Sequence, residues 1–352
     1  MYNYLGQMRL NLQHSDSSTL LKELETPLNV KRRKLIEGDE SLFNNYESTN
    51  KWIGKGLNDV WEVMNIKTQE LEVIKEIKIM DERDYDKFKT EVSFLEKIKK
   101  SPHPSLIGYK GYYITVDERD EKFSQAMNVI KYGYIQMEKG ITSLANFIKK
   151  RSWGNEFFTE EEVLQFIKTM LEGHIHLQKI NIAHRDIKPE NILLLDVDHL
   201  IYRICDVGVS TRTEDNTSDT KNRTLIGTLA FLSPELFESY KAQKPQTIYN
   251  PYKSDVYSLG LVFLYFTTFK TITGVERLDK DQKNIQDKIN FLIRDAKFRY
   301  RKIKGLEKLL HEMLNQDWKE RSDFQDLNEM IKEINLFVLV SFFNFFIRHL
   351  LG

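Results

Sequence analysis

The order of apolar and polar residues divides the chain into a strand-rich part and a helix-rich part. Between residues 52 and 79, the segments VWEVMNI and LEVIKEIKI alternate apolar and polar positions, which predicts two β-strands. The segment 84–100 then carries apolar residues at helical spacing, Phe88, Val92, Leu95 and Ile98. Two further strand-like runs follow, IGYKGYYITV and VIKYGYIQME. This first part therefore predicts a sheet with one main helix.

Beyond Gly140 the apolar positions are spaced as in helices. Two predicted helices precede residue 184, and the later segment VYSLGLVFLYFTTF is apolar on nearly every side. A helix of that kind is buried within a larger domain. More helices are predicted near residues 285–293, 304–314 and 324–334. The whole pattern predicts the α+β class, with a small β-rich lobe followed by a larger α-helical lobe.

Composition narrows the class of protein. The chain has 352 residues, which is long for one core and suits two lobes. It is 41% hydrophobic and 30% charged with a formal net charge of zero, so it fits a soluble globular protein and gives no sign of a nucleic-acid partner. The single cysteine, Cys205, excludes an internal disulfide and fits a reducing, cytoplasmic location. The amino-terminal residues lack the apolar core of a signal peptide.

Residues 1–46 are predicted to form a flexible extension, because they are polar and show little periodicity. This extension contains a basic run at residues 31–34, KRRK. A nuclear-entry signal and a binding site for an acidic partner are open interpretations of such a run. A solvated surface patch is the interpretation that we favour.

The chain closes with a hydrophobic tail, residues 335–352. Its segment LFVLVSFFNFFI has only two polar residues, but it is shorter than the ~20 residues that span a bilayer. Association with a membrane surface, docking onto the rest of the chain and a lack of native function are all open. Burial against the last helix is favoured. Between extension and tail, residues 47–334 are predicted to form one bilobal domain.

The segment HRDIKPEN, His184–Asn191, carries the richest chemistry in the chain. It is followed by Asp206, fifteen residues after Asn191. Asp186 supplies a base, Lys188 a cation, and Asn191 with Asp206 the hard oxygen ligands that Mg²⁺ prefers. These are the groups that move a phosphoryl group from ATP to a hydroxyl. A polar loop without catalytic function is the alternative, and four groups at this spacing argue against it.

On these residues the chain resembles the eukaryotic protein kinase family, serine/threonine type, from about Ser48 to Ile334. The resemblance implies a bilobal protein-kinase-like fold, with an N-lobe of about 47–138 and a C-lobe of about 141–334. It also implies that Asp186 is the catalytic base and that Lys188 neutralises the transferring phosphoryl group. Asn191 and Asp206 are the implied ligands of Mg²⁺, and ATP is the implied co-substrate.

The strand-rich part carries the nucleotide-binding residues that the resemblance implies. Lys75 resembles the lysine that contacts the α- and β-phosphates, and Glu91 resembles its ion-pair partner on the helix. The glycine-rich loop begins at Ile53 and departs from the family pattern. It either carries Asp59 in place of the third glycine or, as we favour, is one residue shorter. The implied cofactor-binding residues are Ile53, Gly54, Gly56, Val60, Val73, Lys75, Glu138, Asn191 and Asp206.

Several further residues match family positions outside the reacting centre. Lys188, two residues after Asp186, and Thr228 both resemble serine/threonine kinases, with Thr228 expected to contact the base and the lysine. The resemblance gives structural roles to four residues, Thr228, Glu235, Asp255 and Arg321. Glu235 is expected to pair with Arg321, and Asp255 is expected to anchor the catalytic loop.

Regulation by phosphorylation is also implied. Thr224 stands four residues before Thr228, which is the spacing of the activating threonine in many kinases. A phosphate there would carry about −2 charge and could pair with Arg185. Other hydroxyls of the same loop compete for this role, Thr217, Ser218 and Thr220. The partners implied are protein substrates with serine or threonine and an upstream activating kinase.

Two other functions compete with an active protein kinase. A pseudokinase, which binds nucleotide or acts as a scaffold, is suggested by the divergent glycine-rich loop and by Val207, where the family usually has phenylalanine. The five implied catalytic and ligand residues argue against it. A kinase that acts on a small molecule is disfavoured by the segment GTLAFLSPE, which resembles the part of the family fold that receives a protein substrate.

Overall fold

The structure is a computed structural model, and it describes residues 33–55, 59–117, 130–212, 221–224, 226–273 and 282–332. The chain divides into two compact units. Unit one comprises the residues up to Tyr85 together with Lys110–Met137, and unit two comprises Asp86–Tyr109 together with the residues from Glu138 onward. The α+β class predicted from the sequence is confirmed.

Unit one is built on a six-stranded sheet with the strand order β1-β5-β6-β4-β3-β2. Its strands are β1 Arg33–Gly38, β2 Tyr46–Lys55, β3 Asp59–Asn65, β4 Leu71–Ile79, β5 Tyr109–Asp117 and β6 Lys131–Glu138. Helix α1, Glu40–Asn44, follows β1 and is capped by the Asp39 side chain. Strands β2, β3 and β4 are antiparallel neighbours, and Val60 on β3 lies directly opposite Lys75 on β4.

The core of unit one includes residues that precede the predicted domain. Leu42 of α1 joins the buried cluster Val63, Ile74, Tyr113 and Tyr134. It packs so closely that a Cβ at Gly111 would lie 2.5 Å from the Leu42 Cδ1 atom. Glycine at position 111 therefore admits Leu42 to the core.

The sequence predicts a flexible extension over residues 1–46, whereas residues 33–44 form β1 and α1. The side chain of Arg33 is only 15% exposed, donates to Glu76 at 3.0 Å and lies 4.0 Å from the centroid of the Tyr132 ring. A cation held over an aromatic ring and paired with a carboxylate is not a solvated surface charge. Arg33 therefore differs from the solvated patch predicted for the basic run. Residues 1–32 and the tail 335–352 lie outside the described residues.

The longest described elements of unit two are helices. They are α2 Glu82–Lys100, which begins in unit one, then α3 Leu144–Trp153, α4 Glu160–Lys179, α5 Pro234–Lys241, α6 Pro251–Thr268, α7 Gln282–Arg299 and α8 Leu306–Met313. Residues 324–332 are also helical. Helix α4 starts with a capping box between Thr159 and Glu162, and α6 is capped by Asn250, whose side chain accepts two backbone N–H groups. None of the described helices is long and apolar enough to span a membrane.

Most of the short strands of unit two lie between α4 and α6 and pair with one another. Strand β8, Ile182–Ala183, pairs with β11, Thr211–Arg212. Strands β10, Ile201–Ile204, β9, Ile192–Asp196, and β7, Thr142–Ser143, form a sheet in that order. Strand β12, Lys221–Thr224, pairs with β13, Gln246–Tyr249. The HRDIKPEN segment therefore begins just after β8 and ends at β9.

Candidate active site

The loop that carries HRDIKPEN is anchored by Asp255 of helix α6. The buried Asp255 carboxylate accepts the backbone N–H of His184 at 2.7 Å and that of Arg185 at 2.8 Å. These bonds hold Arg185 in the left-handed region, at φ 69°, which is rare for a residue with a side chain. Burial raises the pKa of Asp255 to about 6. The His184 ring bonds the Cys205 carbonyl at 2.9 Å, so the same loop is tied to the residue before Asp206.

Asp186, Lys188 and Thr228 form a closed triangle of polar contacts. Lys188 Nζ donates to Asp186 Oδ2 at 2.6 Å and to Thr228 Oγ1 at 2.9 Å, and Thr228 Oγ1 donates to Asp186 Oδ1 at 2.7 Å. Asn191 Nδ2 donates to the Asp186 carbonyl at 2.8 Å and to Oδ2 at 3.2 Å. Because the Asn191 nitrogen is directed at Asp186, the amide oxygen is the atom that remains for a cation.

Two carboxylates approach each other at Gly208. A Cβ at this glycine would lie 3.0 Å from Glu91 Oε2 and 3.3 Å from Asp206 Oδ1. Asp206 itself has φ 65°, so its backbone is also in the left-handed region. Val207 is only 2% exposed. The structure thus brings Glu91 of α2 beside the Asp206 segment within unit two.

Asn191 and Asp206 offer ligand atoms that fit Mg²⁺. They offer an amide and a carboxylate oxygen, and hard oxygen ligands are those that Mg²⁺ selects. Mg²⁺ in phosphoryl-transfer sites is bound by one or two protein carboxylates together with substrate phosphates, not by an all-protein cage. A pair of protein ligands therefore fits an ion that arrives with ATP.

Comparison with known proteins decides the family. The model of the protein kinase domain matches residues 47–331, which is most of the chain. The chain belongs to the protein kinase family. Serine/threonine-protein kinase nekl-2 of Caenorhabditis elegans is 30% identical over 213 residues, covering 60% of this chain and 51% of that protein.

Other relatives point to the same family. Serine/threonine-protein kinase Nek8 of Danio rerio is 30% identical over 226 residues, covering 64% of this chain and 28% of that protein. Dual specificity protein kinase TTK of Mus musculus is 25% identical over 272 residues, covering 73% of this chain and 29% of that protein. The kinase chain thus spans about half the length of these relatives or less. The recognition of a eukaryotic serine/threonine-type kinase from the sequence is confirmed.

The Glu138 side chain of the kinase is engaged within unit two. Its carboxylate accepts the Gly108 N–H at 2.6 Å and Arg203 Nε at 3.1 Å. Arg203 also donates to the Pro104 carbonyl. A nucleotide contact at position 138 would therefore come from the main chain, not from the carboxylate that these groups hold.

The predicted nucleotide-binding residues of unit one lie on β2, β3 and β4. Val73 and Lys75 are two residues apart on β4 and so share a face of the sheet, and Val60 lies opposite Lys75. Ile53 on β2 is 43% exposed, and a Cβ at Gly54 would have nothing within 4 Å. Residues 56–58, with Gly56, lie outside the described residues. The pairing of Lys75 with Glu91 stays a prediction, because the two residues belong to different units.

Arg321 and Glu235 form a two-pronged ion pair. Arg321 is fully buried, and its two terminal nitrogens lie 3.1 Å from the two Glu235 carboxylate oxygens. The guanidinium also donates to the carbonyls of Lys253 at 2.8 Å and Asn315 at 2.9 Å. A buried charge with several hydrogen bonds of this kind stabilises one arrangement of its surroundings.

The predicted regulatory residues lie on two connected elements. Thr224, on β12, is the register partner of Gln246 on β13, and β13 ends at Tyr249. The buried Tyr249 hydroxyl accepts a hydrogen bond from Arg185 Nε at 3.0 Å. The competing hydroxyls at residues 217, 218 and 220 lie outside the described residues.

The sequence assigned no role to four residues that shape this site. His184 and Gly208 lie inside the recognised motifs, so their position alone was a signal. Tyr249 and Arg203 belong to no recognised motif. Only the structure shows that Tyr249 contacts Arg185 and that Arg203 contacts Glu138.

Proposed function

We propose that this kinase transfers the γ-phosphate of ATP to serine or threonine hydroxyls of proteins, with Mg²⁺ as cofactor. The observation that carries the proposal is the triangle of Asp186, Lys188 and Thr228. In this triangle a carboxylate lies beside a cation, which supports a role for Asp186 in orienting a substrate hydroxyl. The protein kinase domain model supports the same chemistry.

The proposed reaction assigns each group one role. The substrate oxygen attacks the γ-phosphorus, the bond between that phosphorus and ADP breaks, and the hydroxyl proton passes to Asp186. Lys188 neutralises charge on the phosphoryl group as it transfers. Lys75 would hold the α- and β-phosphates, and Glu91 would hold the Lys75 ammonium.

Asn191 and Asp206 would hold the Mg²⁺ ion. When bound, the ion neutralises charge on the phosphate oxygens of the nucleotide. Phosphorylation of Thr224 by an upstream kinase and a cytoplasmic location are parts of the same proposal. The tail keeps the interpretations given for it above, including contact with a membrane surface.

The decisive experiment compares γ-phosphate transfer to a generic basic protein by the wild type and by Asp186→Asn. The amide keeps the shape of the side chain but cannot accept the proton, so activity should fall by roughly 100-fold or more. The exposed Asp198→Asn, on the turn after β9, is the matched control and should retain activity. Analysis of the phosphorylated residues should show serine or threonine, and phosphotyrosine would broaden the specificity.

If neither the wild type nor Asp186→Asn transferred phosphate, the assay would be repeated after phosphorylation at Thr224. If the phosphorylated wild type bound ATP but still transferred no phosphate, a pseudokinase would be the better proposal. The divergent glycine-rich loop and Val207 are the features that favour that alternative.

A further inference from the structure

One carboxylate on strand β1 accepts two tyrosine hydroxyls. Glu37 Oε2 receives Tyr85 Oη at 2.8 Å, and Glu37 Oε1 receives Tyr112 Oη at 2.9 Å. Tyr112 lies on β5, the strand that pairs with β1. Tyr85 lies in the first turn of helix α2. Glu37 therefore connects β1 both to its neighbour in the sheet and to a helix.

The segment that carries Glu37 lies outside residues 47–331, the part that the protein kinase model matches. It is fixed to unit one by contacts that do not involve Glu37. Arg33 pairs with Glu76 at 3.0 Å and stacks on Tyr132, and Leu42 lies in the core. Loss of the single bond to Tyr85 should therefore leave β1 and α1 in place.

Tyr85 lies on the helix that bears Glu91. The two residues are six positions apart on one continuous helix, which is about 9 Å along its axis. The Lys131 ammonium lies 5.5 Å from the centroid of the Tyr85 ring, so this side chain has a cation over its face and a carboxylate on its hydroxyl. A first turn held in this way restricts where the rest of the helix can move.

We infer that Glu37 is a positioning residue for the kinase reaction. Through Tyr85 it holds the start of helix α2 and so raises the fraction of molecules in which Glu91 is placed for catalysis. A segment outside the residues that the kinase model matches thus positions the helix. The inference rests on the proposed function, because Glu91 matters only if the protein transfers phosphate.

The test uses two phenylalanine variants of the full-length chain that each remove one hydroxyl from Glu37. Tyr85→Phe cuts the bond to the helix, and Tyr112→Phe cuts the bond to the sheet. A hydrogen bond to a carboxylate typically has an energy that corresponds to about a tenfold effect, so Tyr85→Phe should lower kcat by roughly fivefold to tenfold. The KM for the protein substrate should not change. Tyr112→Phe should keep kcat within about twofold.

Two further variants separate positioning from stability. Glu37→Ala should match Tyr85→Phe in kcat, and the double variant should be no lower than Glu37→Ala, since both remove the same bond. Glu37→Gln keeps an acceptor oxygen and should restore most of the activity. Equal losses of kcat in Tyr85→Phe and Tyr112→Phe would overturn the inference, because they would indicate only a general loss of stability.

Hydrogen exchange of residues 82–95 provides a readout that does not need catalysis. Exchange in this part of α2 should be faster in Tyr85→Phe than in the wild type and unchanged in Tyr112→Phe. If the wild type transferred no phosphate, the proposed function would fail, while this exchange pattern would still decide whether Glu37 holds the helix. Identical exchange in all three proteins would refute the tether.

Discussion

At the scale of single residues, Gly208 shows how little space the site leaves. The two carboxylates that face it, Glu91 and Asp206, belong to a helix and to a loop that are far apart in sequence. A methyl group at 3.0 and 3.3 Å from their oxygens is closer than ordinary van der Waals contact. Both carboxylates would have to shift by a few tenths of an ångström, and they are the groups proposed to hold Lys75 and Mg²⁺.

Gly208→Ala should therefore impair catalysis more than folding. We expect kcat/KM for ATP to fall by about tenfold to 100-fold, because small misplacements of catalytic groups have effects of that size. Thermal unfolding would show that the variant remains folded. Gly154→Ala is the matched control, since its Cβ would meet only the side chain of the exposed Glu156. Unchanged kinetics in Gly208→Ala would contradict the close approach of the two carboxylates.

The polar residues of the HRDIKPEN loop were predictable because they match the spacing of the family motif. Asp186, Lys188 and Asn191 lie within six consecutive residues, so any fold that keeps this loop keeps them close. Residues such as Arg203 were not predictable. Its contact with Glu138 joins positions that are 65 residues apart, and neither residue type alone indicates the other.

At the scale of elements, helix α6 and strand β1 show what apolar periodicity can and cannot reveal. Helix α6 is apolar on nearly all sides and was predicted as buried, and nearly all of its residues are buried. Strand β1, RKLIEG, has only two apolar residues, and they are adjacent. Besides its pairing with β5 and the packing of Leu35 against the core, the strand is held by Arg33 over Tyr132, a contact that no hydrophobic pattern encodes.

The pairing of β12 with β13 gives the proposed activation segment a fixed neighbour. Thr224 lies opposite Gln246, three residues before Tyr249, whose hydroxyl already binds Arg185. A phosphate on Thr224 would add a charge of about −2 to strand β12. Strand β12 is linked to Arg185 through β13 and Tyr249. This linkage is the reason for proposing Thr224 as the site of activating phosphorylation.

Thr224→Ala should therefore remove activation by an upstream kinase. We expect wild-type activity to rise by about tenfold on phosphorylation, within the range usual for coupled sites, and activity of the variant to stay at its basal level. Thr217→Ala is the control and should still be activated. The measurement is substrate phosphorylation before and after treatment with the upstream kinase, and full activation of Thr224→Ala would shift the role to another hydroxyl.

At the scale of the whole molecule, the core of unit two encloses an ionisable ring. His174 of α4 is buried, its Nδ1 bonds the Met170 carbonyl at 2.6 Å, and its ring stacks on Phe324 at a centroid distance of 5.0 Å. Burial lowers the pKa of His174 from its ordinary 6.5 to about 3, with a smaller effect from the nearby His184. The ring is therefore neutral in the folded kinase at any pH above about 3.

This burial makes the kinase sensitive to acid in a defined pH window. Below pH 6.5 the unfolded chain binds a proton at His174 that the folded chain does not bind, so stability is lost as the pH falls. The free energy of unfolding should drop by about 1.4 kcal/mol per pH unit from this residue alone, between about pH 6.5 and 3. Asp255 acts in the opposite direction, because its raised pKa lets the folded chain keep a proton up to about pH 6.

His174→Gln isolates the histidine from these opposing contributions. The variant should be less stable than the wild type at pH 7.5, because an imperfectly packed amide replaces the stacked ring. As the pH falls toward 4.5 the two curves of unfolding free energy should converge, since only the wild type has a buried histidine to protonate. Denaturant titrations across this range measure the difference, with exposed His311→Gln expected to stay parallel to the wild type. Parallel curves for His174→Gln as well would mean that protonation of His174 does not limit the acid stability of the kinase.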